Sequence, residues 1–336
     1  MLIDFNNLKI NNLDFETDFE KKINFFLEEW FSDSRTVKVQ TSGSTGTPKV
    51  FEIEKNRMIH SAKMTCNFLG LQEGDTAFLC LPVEYISGKM MIVRSLERKL
   101  KLMISEPSLK PLEKLHSETD FCALTPLQVE NSLDKIHLIK NLIIGGAAVS
   151  ESLKKRISGF TTHIYETYGM SETLSHIALK PITPQPEEYF TVFEDVSIST
   201  DERGCLKIFA PDLNVEVLQT NDLVEIKNER QFRFLGRVDN VINSGGAKIF
   251  PEQLEALVKK EIPNEAVFLG VKDESLGQKL ILIIEGEESE DLIKKVLETQ
   301  FEKNFHKPKE IIFVREIPRT PNGKVNRREL LDLITP

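Results

Sequence analysis

Between residues 77 and 169 the apolar positions fall in short unbroken runs, separated by longer stretches with helical spacing. The runs 77–82, 100–105, 121–125, 141–144 and 162–167 predict strands, and 86–97 and 150–157 predict helices. Continuous apolar strands alternating with helices make βαβ units and a parallel sheet covered on both faces. Ligands of such sheets bind outside the carboxyl ends of the strands. Two polar, glycine-containing segments fall there: Gly145-Gly146-Ala147 and Tyr168-Gly169-Met170-Ser171-Glu172.

After residue 190 the pattern shortens. Runs at 196–199, 205–209, 215–218, 224–227 and 232–235 predict antiparallel strands joined by turns. From Pro251, suited to a first helical position, helix and strand alternate again. A helix carries Leu254, Leu257 and Val258; strands at 266–271 and 280–285, a helix at 290–302 and a strand at 311–314 follow. This last third has apolar periodicity enough for a small core of its own. The expected fold class is therefore α/β. A large N-terminal domain, residues 1–236, holds the parallel, helix-covered sheet and the antiparallel strands. A small C-terminal α+β domain covers 237–336, with the boundary near 236–240.

Composition narrows the function classes. The chain has 336 residues, 40% apolar and 28% charged, with a net charge of −9, a globular balance that argues against nucleic acid or an anionic membrane as partner. The start lacks a basic and an apolar segment, so no secretory signal is expected. Runs such as 280–284 are far too short for stable membrane insertion. Four scattered cysteines (Cys66, Cys80, Cys122, Cys205) form neither a metal pattern nor a disulfide framework, which suits reduced thiols in the cytoplasm.

The sharpest local signal is Thr41-Ser42-Gly43-Ser44-Thr45-Gly46-Thr47-Pro48-Lys49. Glycines let backbone approach an anion, hydroxyls bond phosphate oxygens, and Lys49 adds charge. It lacks the Gly-Lys-[Ser/Thr] ending of a Walker A loop. Composition alone leaves a phosphate loop and a flexible linker equally open. Read singly, the other candidates also have plain structural explanations. Tyr168-Gly169 reads as a turn, Gly145 and Gly146 as close packing, Asp222 as a turn carboxylate, and Arg237 and Lys324 as surface cations.

Taken together, the segments resemble the adenylate-forming superfamily of acyl- and aryl-CoA synthetases. The 41–49 segment is similar to its phosphate loop, and Tyr168-Gly169-Met170-Ser171-Glu172-Thr173 to its Tyr-Gly-x-[Ser/Thr]-Glu motif. Residues 236–249 resemble its hinge and following loop, and Pro318-Arg319-Thr320-Pro321-Asn322-Gly323-Lys324 its C-terminal lysine motif. Four matches in order span nearly the whole chain. The N-terminal portion before the first motif is shorter than in most members; short members occur among o-succinylbenzoate–CoA ligases of menaquinone biosynthesis, which this chain resembles.

The resemblance implies ATP, Mg²⁺ and coenzyme A as co-substrates and cofactor, a small carboxylic acid as partner, and two steps. The carboxylate first attacks the ATP α-phosphorus to give acyl-AMP; the CoA thiol then displaces AMP. It implies phosphate contacts from Thr41, Ser42, Gly43, Ser44, Thr45, Gly46 and Lys49. It places Gly145, Gly146, Ala147, Tyr168 and Gly169 at adenine, Ser171 at the α-phosphate, Glu172 on Mg²⁺, and Asp222 and Arg237 at the ribose. Lys324 is implied as the ammonium that meets carboxylate and α-phosphate, Gly246 as part of the thiol passage, and Asp239 as the hinge of a mobile lid.

Two departures stand out. Asn221 replaces the family's usual glycine in Thr220-Asn221-Asp222, a turn that asparagine tolerates. Glu84-Tyr85 replaces an expected aromatic–His pair. An acid with a second, permanently ionised carboxylate needs a buried cation or several donors; Lys89, Arg94 and His176 are the candidates. Open alternatives are another aryl or acyl acid, a carrier-protein thiol in place of CoA, and a non-catalytic nucleotide- or acyl-binding protein.

Overall fold

The computed structural model describes residues 1–7, 14–40, 50–319 and 325–334. A twelve-stranded sheet dominates the first two thirds. Across it the strands run Leu2–Asp4, Lys101–Ile104, Thr76–Leu79, Thr119–Leu124, Ile139–Ile144, His163–Gly169, His176–Thr183, Phe190–Val192, Gln231–Arg237, Asn214–Asn228, Cys205–Ala210 and Ser197–Thr200. The five from Lys101–Ile104 to His163–Gly169 are parallel neighbours. Alternate residues of these strands enter two separate cores. Leu79, Leu102, Phe121 and Ile143 pack on one face, and Phe78, Cys122, Leu142 and Ile144 on the other. That is the consequence of a two-residue side-chain period in a sheet buried on both sides.

Two details differ from the sequence expectation. Beyond the parallel strands, antiparallel pairing begins at His176, not after 190: His176–Thr183 pairs with His163–Gly169. The two strands expected at 215–218 and 224–227 are one strand, Asn214–Asn228, so Thr220-Asn221-Asp222 is not a turn between them. The register slips there, with Gln219 opposite Lys207 and Leu223 opposite Cys205, so extra residues bulge out. The Thr220 hydroxyl donates to the Leu206 carbonyl at 2.8 Å and accepts the Asp222 N–H at 3.1 Å. A bulge of this kind re-aims a side chain, here that of Asp222.

A five-stranded sheet forms the C-terminal part: Ala247–Ile249, Ile242–Ser244, Gly277–Glu285 and Ala266–Asp273 in order, with Glu310–Val314 parallel to Gly277–Glu285. The Pro251–Glu261 helix, with proline in its first turn as expected, packs on this sheet through Leu254 and Val258. The same helix also packs against the Glu151–Ile157 helix and the Gln231–Arg237 strand of the first body. Between the two sheets lies only the short turn Val238–Asn240 and Val241. No helix among the described residues is long and apolar enough to cross a membrane.

Candidate functional site

Parallel strands that enter a sheet in one direction deliver their following loops to one edge. Gly145 leaves the Ile139–Ile144 strand there, its N–H donating to the Leu124 carbonyl of the neighbouring strand at 3.0 Å. A side chain at Gly145 would press a Cβ to within 2.7 Å of the Thr167 hydroxyl, so this backbone lies directly against the strand that ends in Tyr168-Gly169. Gly146 and Ala147 follow in the same loop. The loop is tied down at Val149, whose N–H donates to the Glu166 carboxylate at 3.1 Å. Glu166 is 7% exposed and faces Lys180 at 2.8 Å and Lys154 at 3.7 Å. Burial works to raise its pKa, but the two ammonium groups and the Val149 N–H hold it below the usual carboxylate range.

Tyr168 stands edge-on to Phe232 with ring centroids 4.9 Å apart and is tilted against Phe190. Its hydroxyl donates to Asp222 at 2.6 Å. Burial, reinforced by the Asp222 carboxylate, pushes the phenol pKa up, so it stays a donor. Arg237 completes the corner, 3.5 Å from Asp222 and 2.9 Å from Asp239. A carboxylate offers about four acceptor positions. The contacts to Tyr168 and Arg237 leave Asp222 able to accept from two further hydroxyls, which fits a ribose.

Ser171 and Glu172 lie exposed on the connection between the His163–Gly169 and His176–Thr183 strands. Among the described residues no three His, Cys, Asp or Glu side chains form a metal cluster. A single exposed carboxylate such as Glu172 suits Mg²⁺ that is held mostly by phosphate oxygens and water. Residues 41–49, hence Thr41, Ser42, Gly43, Ser44, Thr45, Gly46 and Lys49, and residue Lys324 lie outside the described residues. Their flanks are placed: Thr36–Gln40 and Val50–Glu54 pair as an antiparallel hairpin, and the Gln40 N–H donates to the Glu84 carbonyl at 3.2 Å. Gly245 and Gly246 form the two-residue turn between Ile242–Ser244 and Ala247–Ile249. Both have positive φ, 57° and 82°, as such hairpins require, and a Cβ at Gly246 would meet open space.

Of the three candidate acid-binding residues, Arg94 and His176 come together and Lys89 lies apart. Lys89 and Arg94 share the Ile86–Arg98 helix, but five residues turn about 140° around a helix, so the two point apart. The Lys89 ammonium sits 4.4 Å over the Phe26 ring of the Asp18–Phe31 helix. Arg94, 2% exposed, instead meets the 170–176 segment: it donates to the Ser175 hydroxyl at 3.0 Å. His176 lies beside it, with Nδ1 3.4 Å from the Ser175 hydroxyl and Nε2 3.1 Å from the Thr65 hydroxyl. Thr65 donates to the Ser61 carbonyl, so its oxygen is left to accept from His176 Nε2–H. Burial, then the Arg94 charge, holds the His176 pKa well below its ordinary value. Burial also brings the Arg94 pKa down to about 10. No carboxylate pairs with Arg94 among the described residues, and its Nε has no partner there.

Residues 32–193 match the family described as AMP-binding enzyme, and residues 243–324 match AMP-binding enzyme C-terminal domain. An acyl-CoA synthetase (AMP-forming)/AMP-acid ligase II-like protein from Dyadobacter fermentans is 34% identical, with 97% of each chain covered and a TM-score of 0.67. The chain belongs to the AMP-binding enzyme family. Among curated members, the 2-succinylbenzoate–CoA ligase of Lactococcus lactis is 26% identical over 89% of this chain and 72% of its own. The O-succinylbenzoate coenzyme A synthetase of Bacillus subtilis, solved with ATP and magnesium ion, shares the AMP-binding enzyme fold, with a TM-score of 0.73 over 88% of this chain and 69% of its own at 20% identity.

Glu166, Lys180, Thr65 and Ser175 enter the site without having been singled out in the sequence. For Glu166 a signal existed: an acid between isoleucine, tyrosine and threonine in an apolar strand is costly unless partnered.

Proposed function

We propose that this AMP-binding enzyme is an ATP-dependent acid–CoA ligase working through an acyl-adenylate, with o-succinylbenzoate as its acid. The observation that carries the acid is Arg94. A guanidinium buried to 2% exposure with no carboxylate partner among the described residues is unfavourable. It becomes favourable when an anion completes it, and o-succinylbenzoate retains an ionised aryl carboxylate after its aliphatic one is activated. Ser175 and neutral His176 supply polar contacts around the same point. The curated relatives named 2-succinylbenzoate–CoA ligase support the same acid.

In the first half-reaction a carboxylate oxygen bonds to the α-phosphorus as the bond to the β-phosphate oxygen breaks and pyrophosphate leaves. The chain's work is positioning and charge stabilisation. Tyr168 and the Gly145–Ala147 loop receive adenine, Asp222 and Arg237 the ribose, and residues 41–49 the outer phosphates. Ser171 reaches the α-phosphate, and Lys324 meets the gathering negative charge. Glu172 would hold Mg²⁺, which would neutralise charge on the phosphates when bound. In the second half-reaction the CoA sulfur bonds to the acyl carbon, its proton is lost, and AMP departs. Residues 237–336 act as a lid turning about Asp239, so that Lys324 and then the Gly245–Gly246 turn face the reaction. The four buried free cysteines suit a cytoplasmic setting.

Pyrophosphate exchange across a panel of carboxylic acids tests this reading, followed by a choice of CoA or carrier-protein thiol. Exchange that depends on o-succinylbenzoate and falls by about three orders of magnitude in Lys324→Ala is expected for loss of a transition-state charge contact. Equal use of simple fatty acids would remove the acid assignment. Exchange unchanged in K324A would remove the mechanism.

A further inference from the structure

The bulge at Thr220–Asp222 presents Asn221 to the hinge. Its amide nitrogen donates to both oxygens of Asp239, at 3.3 and 3.2 Å. Its amide oxygen accepts from Arg203 at 3.1 Å. Arg203 has only donors and Asp239 only acceptors, so the amide has one orientation that satisfies both. Arg203 is itself held by Asp201 at 2.8 Å and by the Thr220 carbonyl at 3.1 Å. The result is an unbroken series of alternating partners: Asp201, Arg203, Asn221, Asp239, Arg237, Asp222 and Tyr168. Six of them sit on the large sheet or its loops. Asp239 alone sits in the Val238–Asn240 turn that leads to the second sheet.

A glycine, which the family resemblance leads one to expect at 221, has no side chain to make this grip. We propose that Asn221 is a positioning residue that holds the hinge carboxylate, and through it the C-terminal domain, in the pose seen here. The strength of that hold sets the balance between the adenylation and thiol-transfer half-reactions. The proposal rests on the reading of residues 237–336 as a lid hinged at Asp239.

The test uses the full-length protein and the variants Asn221→Ala, Asn221→Asp and Asp239→Ala. Pyrophosphate exchange reads the first half-reaction, and single-turnover transfer from preformed o-succinylbenzoyl-AMP to CoA reads the second. Loss of two hydrogen bonds to a carboxylate at a half-exposed position is expected to change the ratio of the two rates about three- to tenfold in N221A, one rate rising as the other falls. N221D keeps an oxygen for Arg203 but turns the donor into a second anion against Asp239, so its ratio moves the same way and further. A merely structural role predicts both rates falling together, with N221D no different from N221A, and either result overturns the proposal. D239A separates two failures. A ratio moved by D239A but not by N221A overturns the hold alone; a ratio moved by neither overturns the hinge reading with it.

Discussion

Arg94 and Arg237 handle charge in opposite ways. Arg94 is buried, has a serine hydroxyl for a neighbour, and lacks any carboxylate partner among the described residues. Arg237 is half exposed and lies between two carboxylates, Asp222 and Asp239. Hydrogen bonding to Asp239 raises its pKa, whereas burial lowers that of Arg94. On the proposed function, the contrast separates a specificity element from a framework element. A buried cation left incomplete stores unfavourable energy that a matching anion releases on binding. A cation already compensated on both sides releases nothing and instead fixes the direction of the carboxylates around it.

The largest expected effect follows from removing the incomplete cation. Arg94→Met should raise the KM for o-succinylbenzoate about a hundredfold, the loss of a buried charge pair with the substrate. The same change should raise the melting temperature of the free protein, because a well-packed apolar side chain replaces an unpaired buried charge. A lower melting temperature with the KM unchanged would mean that Arg94 serves the fold. Arg237→Met should do the reverse at smaller scale. Stability should stay within about 0.5 kcal/mol, as for exposed ion pairs, while the KM for ATP rises about tenfold because Asp222 and Asp239 lose their shared counter-ion. Thermal melts and initial-rate kinetics on the two variants decide whether the contrast holds.

The smallest effect concerns pH. His176 is buried neutral, with its pKa well below the ordinary 6.5. The unfolded chain therefore takes up a proton near pH 6.5 that the native protein refuses. Stability from this group is present above pH 6.5 and is lost as pH falls toward the native pKa. The loss between pH 7 and 6 should be about 0.7 kcal/mol, seen as a lower denaturation midpoint, and His176→Gln should flatten that slope. An unchanged slope in H176Q would assign the acid lability to other groups.

Much of the architecture was legible because apolar runs report burial on both faces of a sheet. The parallel strands from Lys101–Ile104 to His163–Gly169 lie within a few residues of their expected positions. The family motifs were legible as chemistry. What local sequence could not supply was pairing. Thr-Asn-Asp has the same turn-forming chemistry in a turn and in a bulge; the register against Cys205–Ala210 decides between them. Lys89 and Arg94 are equally basic on one helix, and only the packing of the Asp18–Phe31 helix and the 170–176 segment shows that Lys89 lies over the Phe26 ring while Arg94 meets Ser175. Asn221 reads as a tolerated substitution until Asp239 and Arg203 are seen on either side of it.

One backbone contact joins two segments that the proposed function gives to different substrates. The Gln40 N–H to Glu84 carbonyl bond joins the strand leading into residues 41–49 to the segment that opens the Ile86–Arg98 helix. On the proposed assignment of residues 41–49 to the triphosphate, a shift of that strand would be passed to the segment that opens the helix carrying Arg94. Nucleotide loading and acid selection would then share one mechanical anchor, the hairpin's attachment at Glu84.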